Sequence, residues 1–209
     1  MLEHLPQWIG ALMRNVRAGH AKLAIVQPEL AITGKPMNLS SPAFADGARL
    51  PERFTADGAG VSPPLVWSDV PAGTQSLVLI VEDPDAPAPN PLVHAIVWGM
   101  DPEERRLAEG TIVSSEKLDG AGDTGRNSAF GEGWLPPDPP SGHGSHDYIF
   151  QLFALSEAPA ISGHPGRSTL LKAMAGKVLA AGLLVGTYSR GEAARPGGHA
   201  VREASPAAR

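Results

Sequence analysis

An uninterrupted apolar run, residues 76–82 (SLVLIVE), passes straight into Asp83-Pro84-Asp85-Ala86-Pro87. Carboxylates at the end of a buried strand can serve as acid or base, ligate a metal, or accept hydrogen bonds from a bound molecule. The prolines push the residues before them into extended conformations and leave each X–Pro bond open to the cis form. The carboxylate directions are thus set before any ligand arrives, although Asp in such a segment is also an ordinary turn former. His94 lies inside a second apolar stretch, residues 93–100 (VHAIVWGM), where a lone histidine is more often a core residue than a ligand contact. His146 and Tyr148 stand two apart in GHGSHDYIF, a spacing that puts both side chains on one face of a strand. Pro139 and Pro140 precede them and stiffen that wall. His94 and His146 are expected to donate ring N–H bonds and Tyr148 its hydroxyl. An ionised Asp83 cannot donate and would repel a fully charged oxyanion. The set therefore suits an anion that still carries a proton, such as a monoanionic phosphate ester, or an ammonium group beside a phosphate.

Other chemistries have less in their favour. There is no G-x-S-x-G elbow to supply an activated serine. A site of two histidines and one carboxylate at His94, His146 and Asp83 lacks any tight metal-ligand spacing, and His143-x-x-His146 reads as a loop coincidence. With Cys 0, thiolate metal sites, disulfides and cysteine nucleophiles are excluded. A formal charge of −5 and 5% aromatic residues argue against nucleic acid as a partner.

The elements that must hold these residues are strands. At 209 residues with 42% hydrophobic and 19% charged, the chain can fill the core of one domain. Gly 24 and Pro 21, without a Gly-X-Y period, indicate a turn-rich β protein. Residues 65–68, 76–82, 93–100 and 148–155 read as strands, with a long Gly- and Pro-rich loop region over 101–147. Residues 167–182 read as a helix with Ser168 as N-cap and Gly182 as its end, leaving 183–188 as a last strand. Residues 2–18 form an expected amphipathic helix with Leu2, Leu5, Ile9, Leu12 and Val16 on one face, to be covered by the domain or by a second copy in a homodimer. The chain then divides into 1–38, helix and connection; 39–190, the domain; and 191–209, a tail expected to be disordered. No apolar stretch is long enough for a membrane span, and a cytoplasmic location is the default expectation.

The order DPDAP, then a strand histidine, then PP-x-G-x-x-x-H-x-Y resembles the phosphatidylethanolamine-binding protein family, in particular its bacterial Raf-kinase-inhibitor-like branch. Asp57-Gly58, the run Ser62-Pro63-Pro64-Leu65-Val66-Trp67 and the phrase Val70-Pro71-Ala72-Gly73-Thr74 extend the likeness over about residues 39 to 190. The resemblance implies a mainly β fold, an antiparallel β-sandwich-like core of two sheets with few helices. It also implies a small pocket for phosphate, a carboxylate or a phospholipid head group. Carried over by motif, that pocket uses Asp83, His94, Pro139, Pro140, His146 and Tyr148, with Asp85 and Pro87 shaping its loop. The chain departs from the family at Asp147, where arginine is usual, and at Leu92-Val93, where many members place a bulky ring. The helix that covers the pocket in animal members is not recognisable. The function implied is non-catalytic ligand binding, with regulation through protein partners as an extension and no cofactor. The alternatives are hydrolysis of phosphate esters and the metal site above.

Overall fold

The computed structural model of the chain describes residues 16–113 and 123–190. The helix expected over 2–18, the dimer contact assigned to it and the disorder expected of 191–209 lie outside the described residues. Only Val16, Arg17 and Ala18 of that helix are described, and they are not helical.

Two sheets carry the chain. The smaller joins β1 (Asn38–Ser40), β3 (Leu65–Ser68) and β6 (Arg106–Leu107) in the order β1-β3-β6. The larger joins β2 (Ala48–Arg49), β4 (Ser76–Asp83), β5 (Leu92–Met100), β7 (Asp123–Thr124), β8 (His146–Leu155) and β9 (Val178–Tyr188) in the order β2-β9-β8-β4-β5-β7. Every pairing is antiparallel except β2 with β9, which is parallel and so departs from the all-antiparallel expectation. None of the helices among the described residues is long and apolar enough to cross a membrane.

The absence of alternation in SLVLIVE has a direct cause. Strand β4 is flanked by β5 and β8 and is buried on both faces. Leu77, Leu79 and Val81 enter one core with Leu65 and Trp67 of the smaller sheet. Val78 and Ile80 enter a second core with Leu170, Leu171 and Met174 of the helix α1 (Arg167–Met174).

That helix is half the length its pattern suggests. It starts after Gly166, not at a Ser168 cap, and no side chain caps it. Gly176, at φ +69°, follows its end, and residues 178–182 belong to β9, not to the helix. The reason is long-range pairing: Val178 to Tyr188 lie in register against Leu155 to His146 of β8. An apolar run such as VLAAGLLV is compatible with either state, and a paired neighbour strand decides.

The pleat at the end of β4 places two neighbouring carboxylates on opposite faces. Glu82, fully buried, takes the second-core side. It accepts from the backbone N–H of Ala24 at 2.8 Å, from Gln151 Nε2 at 2.7 Å and from Arg167 Nε. It thereby ties the turn before β1, strand β8 and helix α1 to the sheet centre. A second clasp holds the C-terminal end of β9. Arg190 donates from Nε to both oxygens of Asp57 at 2.9 and 2.8 Å, and from Nη1 to Asp138 and to the carbonyl of Pro139. Tyr188 Oη donates to the same Asp57 at 2.7 Å. Asp57-Gly58 is thus more than a turn signal. The Arg190 guanidinium holds the Asp57 carboxyl below the usual carboxylate range, against the opposing effect of burial.

Two outcomes are expected. Glu82→Ala strands the donors of Ala24, Gln151 and Arg167 and should cost about 3 kcal/mol, read as a lower midpoint of urea unfolding. Arg190→Gln should cost ~1–2 kcal/mol at neutral pH, less than a sealed pair because Asp57 keeps contact with water. A carboxylate with a lowered folded pKa adds stability above its unfolded value of ~3.9 and loses it as pH falls through the folded value. Thermal unfolding from pH 6 down to 3 should therefore fall less steeply in Arg190→Gln than in the unmodified protein.

Candidate functional site

Asp83, the last residue of β4, pairs with Leu92, the first of β5, and the proline-rich loop 84–91 joins them. No peptide bond among the described residues is cis, so the prolines stiffen this loop entirely in the trans form. Asp83 Oδ1 accepts the backbone N–H groups of Asp85 at 2.8 Å and Ala86 at 3.0 Å, a side-chain-closed turn that locks the carboxylate. Its second oxygen lies 2.7 Å from His146 Nδ1, both residues being buried.

His146 and Tyr148 do share a face of β8 with this carboxylate, and His94 of β5 meets them there. The His94 and Tyr148 rings are edge to face with centroids 5.0 Å apart, and Tyr148 stacks on His146 at 6.5 Å. Of the eight residues singled out from the sequence, Asp83, Pro87, His94, Pro139, Pro140 and His146 line one cavity of about 250 Å³. Asp85 and Tyr148 do not line it. Asp85 is turned away to accept the N–H of Asp147 at 2.7 Å and to pair with Arg17, which fixes the loop. Tyr148 is fully buried one layer behind His94, with a hydroxyl that has no hydrogen-bond partner among the described residues. Burial, with the Asp83 charge next, pushes the Tyr148 phenol well up, so it stays protonated.

The imidazoles behave differently from the expectation that both donate to a ligand. His94 Nδ1 is 2.7 Å from the carbonyl of Leu135, which can only accept, so Nδ1 carries the proton of a neutral ring. Nε2 is then a bare acceptor, buried and without a partner among the described residues. Burial holds the His94 pKa below the usual imidazole value, against the attraction of Asp83. His146 uses Nδ1 for Asp83, and its Nε2 lies 2.7 Å from His143 Nδ1. Neither ring of the predicted pair therefore offers a free N–H while neutral.

Several site residues carried no local signal. His143 is fully buried against His146 and is no loop coincidence. Leu135 and Asp138 line the cavity from the proline segment, and Asp138 is anchored through Arg190, 52 residues away. Of the two departures from the family pattern, Leu92 lines the cavity and Asp147 does not. The Asp147 carboxyl faces His20 at 3.3 Å, and burial and the neighbouring Asp85 push its pKa up. The described residues whose donor atoms approach closely enough to hold a metal ion are His20, Asp85 and Asp147, within 4.8 Å, a group in which Arg17 already pairs with Asp85. The site of His94, His146 and Asp83 weighed from the sequence does not converge in that way: each histidine directs a nitrogen to a hydrogen-bond partner instead.

Known proteins share this architecture. The profile of the phosphatidylethanolamine-binding protein family matches residues 40–189. A UPF0098 protein of Methanothermobacter thermautotrophicus is 38% identical over 155 residues, 74% of this chain and 100% of that protein. A UPF0098 protein of Chlamydia trachomatis is 37% identical over 158 residues, 74% of this chain and 99% of the relative. Among solved structures, the phosphatidylethanolamine-binding protein homologue CT736 of Chlamydia trachomatis superposes with a TM-score of 0.67 at 37% identity, covering 74% of this chain and 98% of its own. YbcL of E. coli, described as a member of the mammalian family, gives 0.65 at 25% identity over 74% and 99% of the two chains. With the profile spanning most of the chain and relatives matched over nearly their whole length, the chain belongs to the phosphatidylethanolamine-binding protein family.

Proposed function

We propose that the protein binds, without turning it over, a small acid that enters the cavity together with a proton: a phosphate monoester, a phosphorylated head group or a carboxylate. The observation that carries this reading is the buried Nε2 of His94, without a hydrogen-bond partner among the described residues, on a ring that lines a cavity whose other charges are already answered. A P–OH or COOH group can donate to that nitrogen. A fully ionised ligand has to wait until His94 takes up a proton and becomes a donor. Asp83 and Asp138 both line the cavity, so a second negative charge on the ligand is disfavoured. The volume supports a head-group-sized occupant, equal to the liquid volume of roughly eight waters at ~30 Å³ each. Hydrolysis is the competing reading, and a turnover screen on phosphate esters discriminates between them.

The sign of the pH dependence follows from the geometry. Free His94 is held neutral by burial, and a bound anion favours its charged form, so binding takes up a proton. The proton on a phosphate monoester, lost near a pKa of ~6, acts in the same direction. Affinity for phosphate or phosphoethanolamine, measured by titration calorimetry, should fall from pH 6 to 8, by up to about tenfold per unit for one linked proton. His94→Gln should remove the imidazole's share of that slope. Affinity that stays level or rises over the same range in the unmodified protein defeats the proposal.

A further inference from the structure

The segment Ser141-Gly142-His143-Gly144-Ser145-His146 folds one histidine back onto another. Gly142 and Gly144 take φ of +81° and +105°, conformations that residues with a Cβ rarely adopt, and the N–H of His143 donates to the carbonyl of Pro140 at 3.1 Å. The result is an imidazole with no exposed surface, its Nδ1 2.7 Å from His146 Nε2. We infer that His143 is a positioning residue: it donates to the Nε2 lone pair that Asp83 leaves on His146, and makes Asp83, His146 and His143 a directed chain with room for one additional proton.

The direction follows by elimination. Asp83 Oδ1 already accepts two backbone N–H groups, and Oδ2 lies 2.7 Å from His146 Nδ1. An ionised carboxylate only accepts, so His146 Nδ1 carries the proton and, in the neutral ring, Nε2 does not. His143 Nδ1, facing that lone pair, must then be protonated and donate to it. One further proton fits: His146 becomes an imidazolium that donates to Asp83 and to His143, while the His143 proton moves from Nδ1 to Nε2. A second does not fit, because two N–H groups would then meet at 2.7 Å. Charged and titratable groups from each neighbouring element share this end of the sheet: Asp83 at the end of β4 and Asp85 after it, His94 on β5, Asp138 in the proline wall, Asp147 and Tyr148 on β8, and Arg190 after β9. Without His143, the buried lone pair of His146 loses its donor and the ring that forms part of the cavity wall loses one of its two anchors.

Side-chain nitrogen NMR on the full chain reads the tautomers directly, without ligand. With both rings neutral, His143 and His146 should each show the Nδ1–H form. His146 protonated on Nε2 alone in the unmodified protein overturns the inference. In His143→Phe, which keeps a ring but no donor, His146 should keep the Nδ1–H form that Asp83 sets, while its Nε2 signal should move to that of an imidazole nitrogen without a donor. In His143→Gln, whose amide can donate to Nε2, that signal should return to the unmodified position. A His146 Nε2 signal unaltered in His143→Phe overturns the inference as well. The second arm rests on the ligand-binding reading and uses inorganic phosphate as probe. His143→Phe should bind about tenfold more weakly, the loss expected for one unsatisfied buried partner, and His143→Gln should recover most of it. Equal affinities in all three forms count against the positioning role. An unmodified protein that binds no phosphate defeats the proposed function instead, and the nitrogen signals still decide the role of His143.

Discussion

A carboxylate buried at the centre of a sheet has to be ringed by donors, because an unpaired charge there costs several kcal/mol. In this protein that constraint falls on two successive residues. The pleat of β4 sends Glu82 and Asp83 to opposite faces, and each draws in a different set of partners. Glu82 recruits Ala24, Gln151 and Arg167, so the chain before β1 and the start of α1 are organised around it. Asp83 recruits its own following turn and His146, and through His146 a second histidine. One strand end thus anchors a structural network on one side and the candidate site on the other.

The electrostatic character of the cavity follows from how completely these charges are satisfied. Asp83 has three donors, and Asp138 is held by an arginine that is itself spent on Asp57. The carboxylates that accept from Arg190, Asp57 first and then Asp138, raise its pKa above the ordinary guanidinium value, so the arginine stays charged across the whole working range of pH. What remains on offer is a bare imidazole nitrogen set among prolines, leucines and alanines. Such a wall is nearly rigid. The trans proline loop 84–91, the Leu135 N–H bonded to the His94 carbonyl at 2.7 Å, and the Arg190 clasp each restrain a different side of it. Under the proposed ligand-binding function, little reorganisation is needed when a small ligand enters, which lowers the entropic cost of binding.

The sequence by itself determined the strands whose patterns are local: 65–68, the run into Asp83, 93–100 and 148–155 all lie in strands with the expected bounds to within two residues. The spacing of His146 and Tyr148 also put both on one face of β8, while the likeness to the family implied a shared pocket for them, and the pairing of β5, β4 and β8 brings Asp83, His94 and His146 to one cavity. Membership of the family was legible for the same reason, as a multi-part motif spread over most of the domain. Tertiary structure decided the rest. Residues 178–182 carry an apolar run that suits a helix or a strand, and only the neighbouring β8 makes it β9. Asp57 and Arg190 are 133 residues apart and form an ion pair that no spacing rule announces. His143 looked incidental because three residues in a loop imply no shared face; two glycines at positive φ bring it onto His146. Which ring nitrogen bears a proton was beyond the sequence altogether, because it depends on the acceptor opposite, and the Leu135 carbonyl and the Asp83 carboxylate are placed by the packing of distant strands.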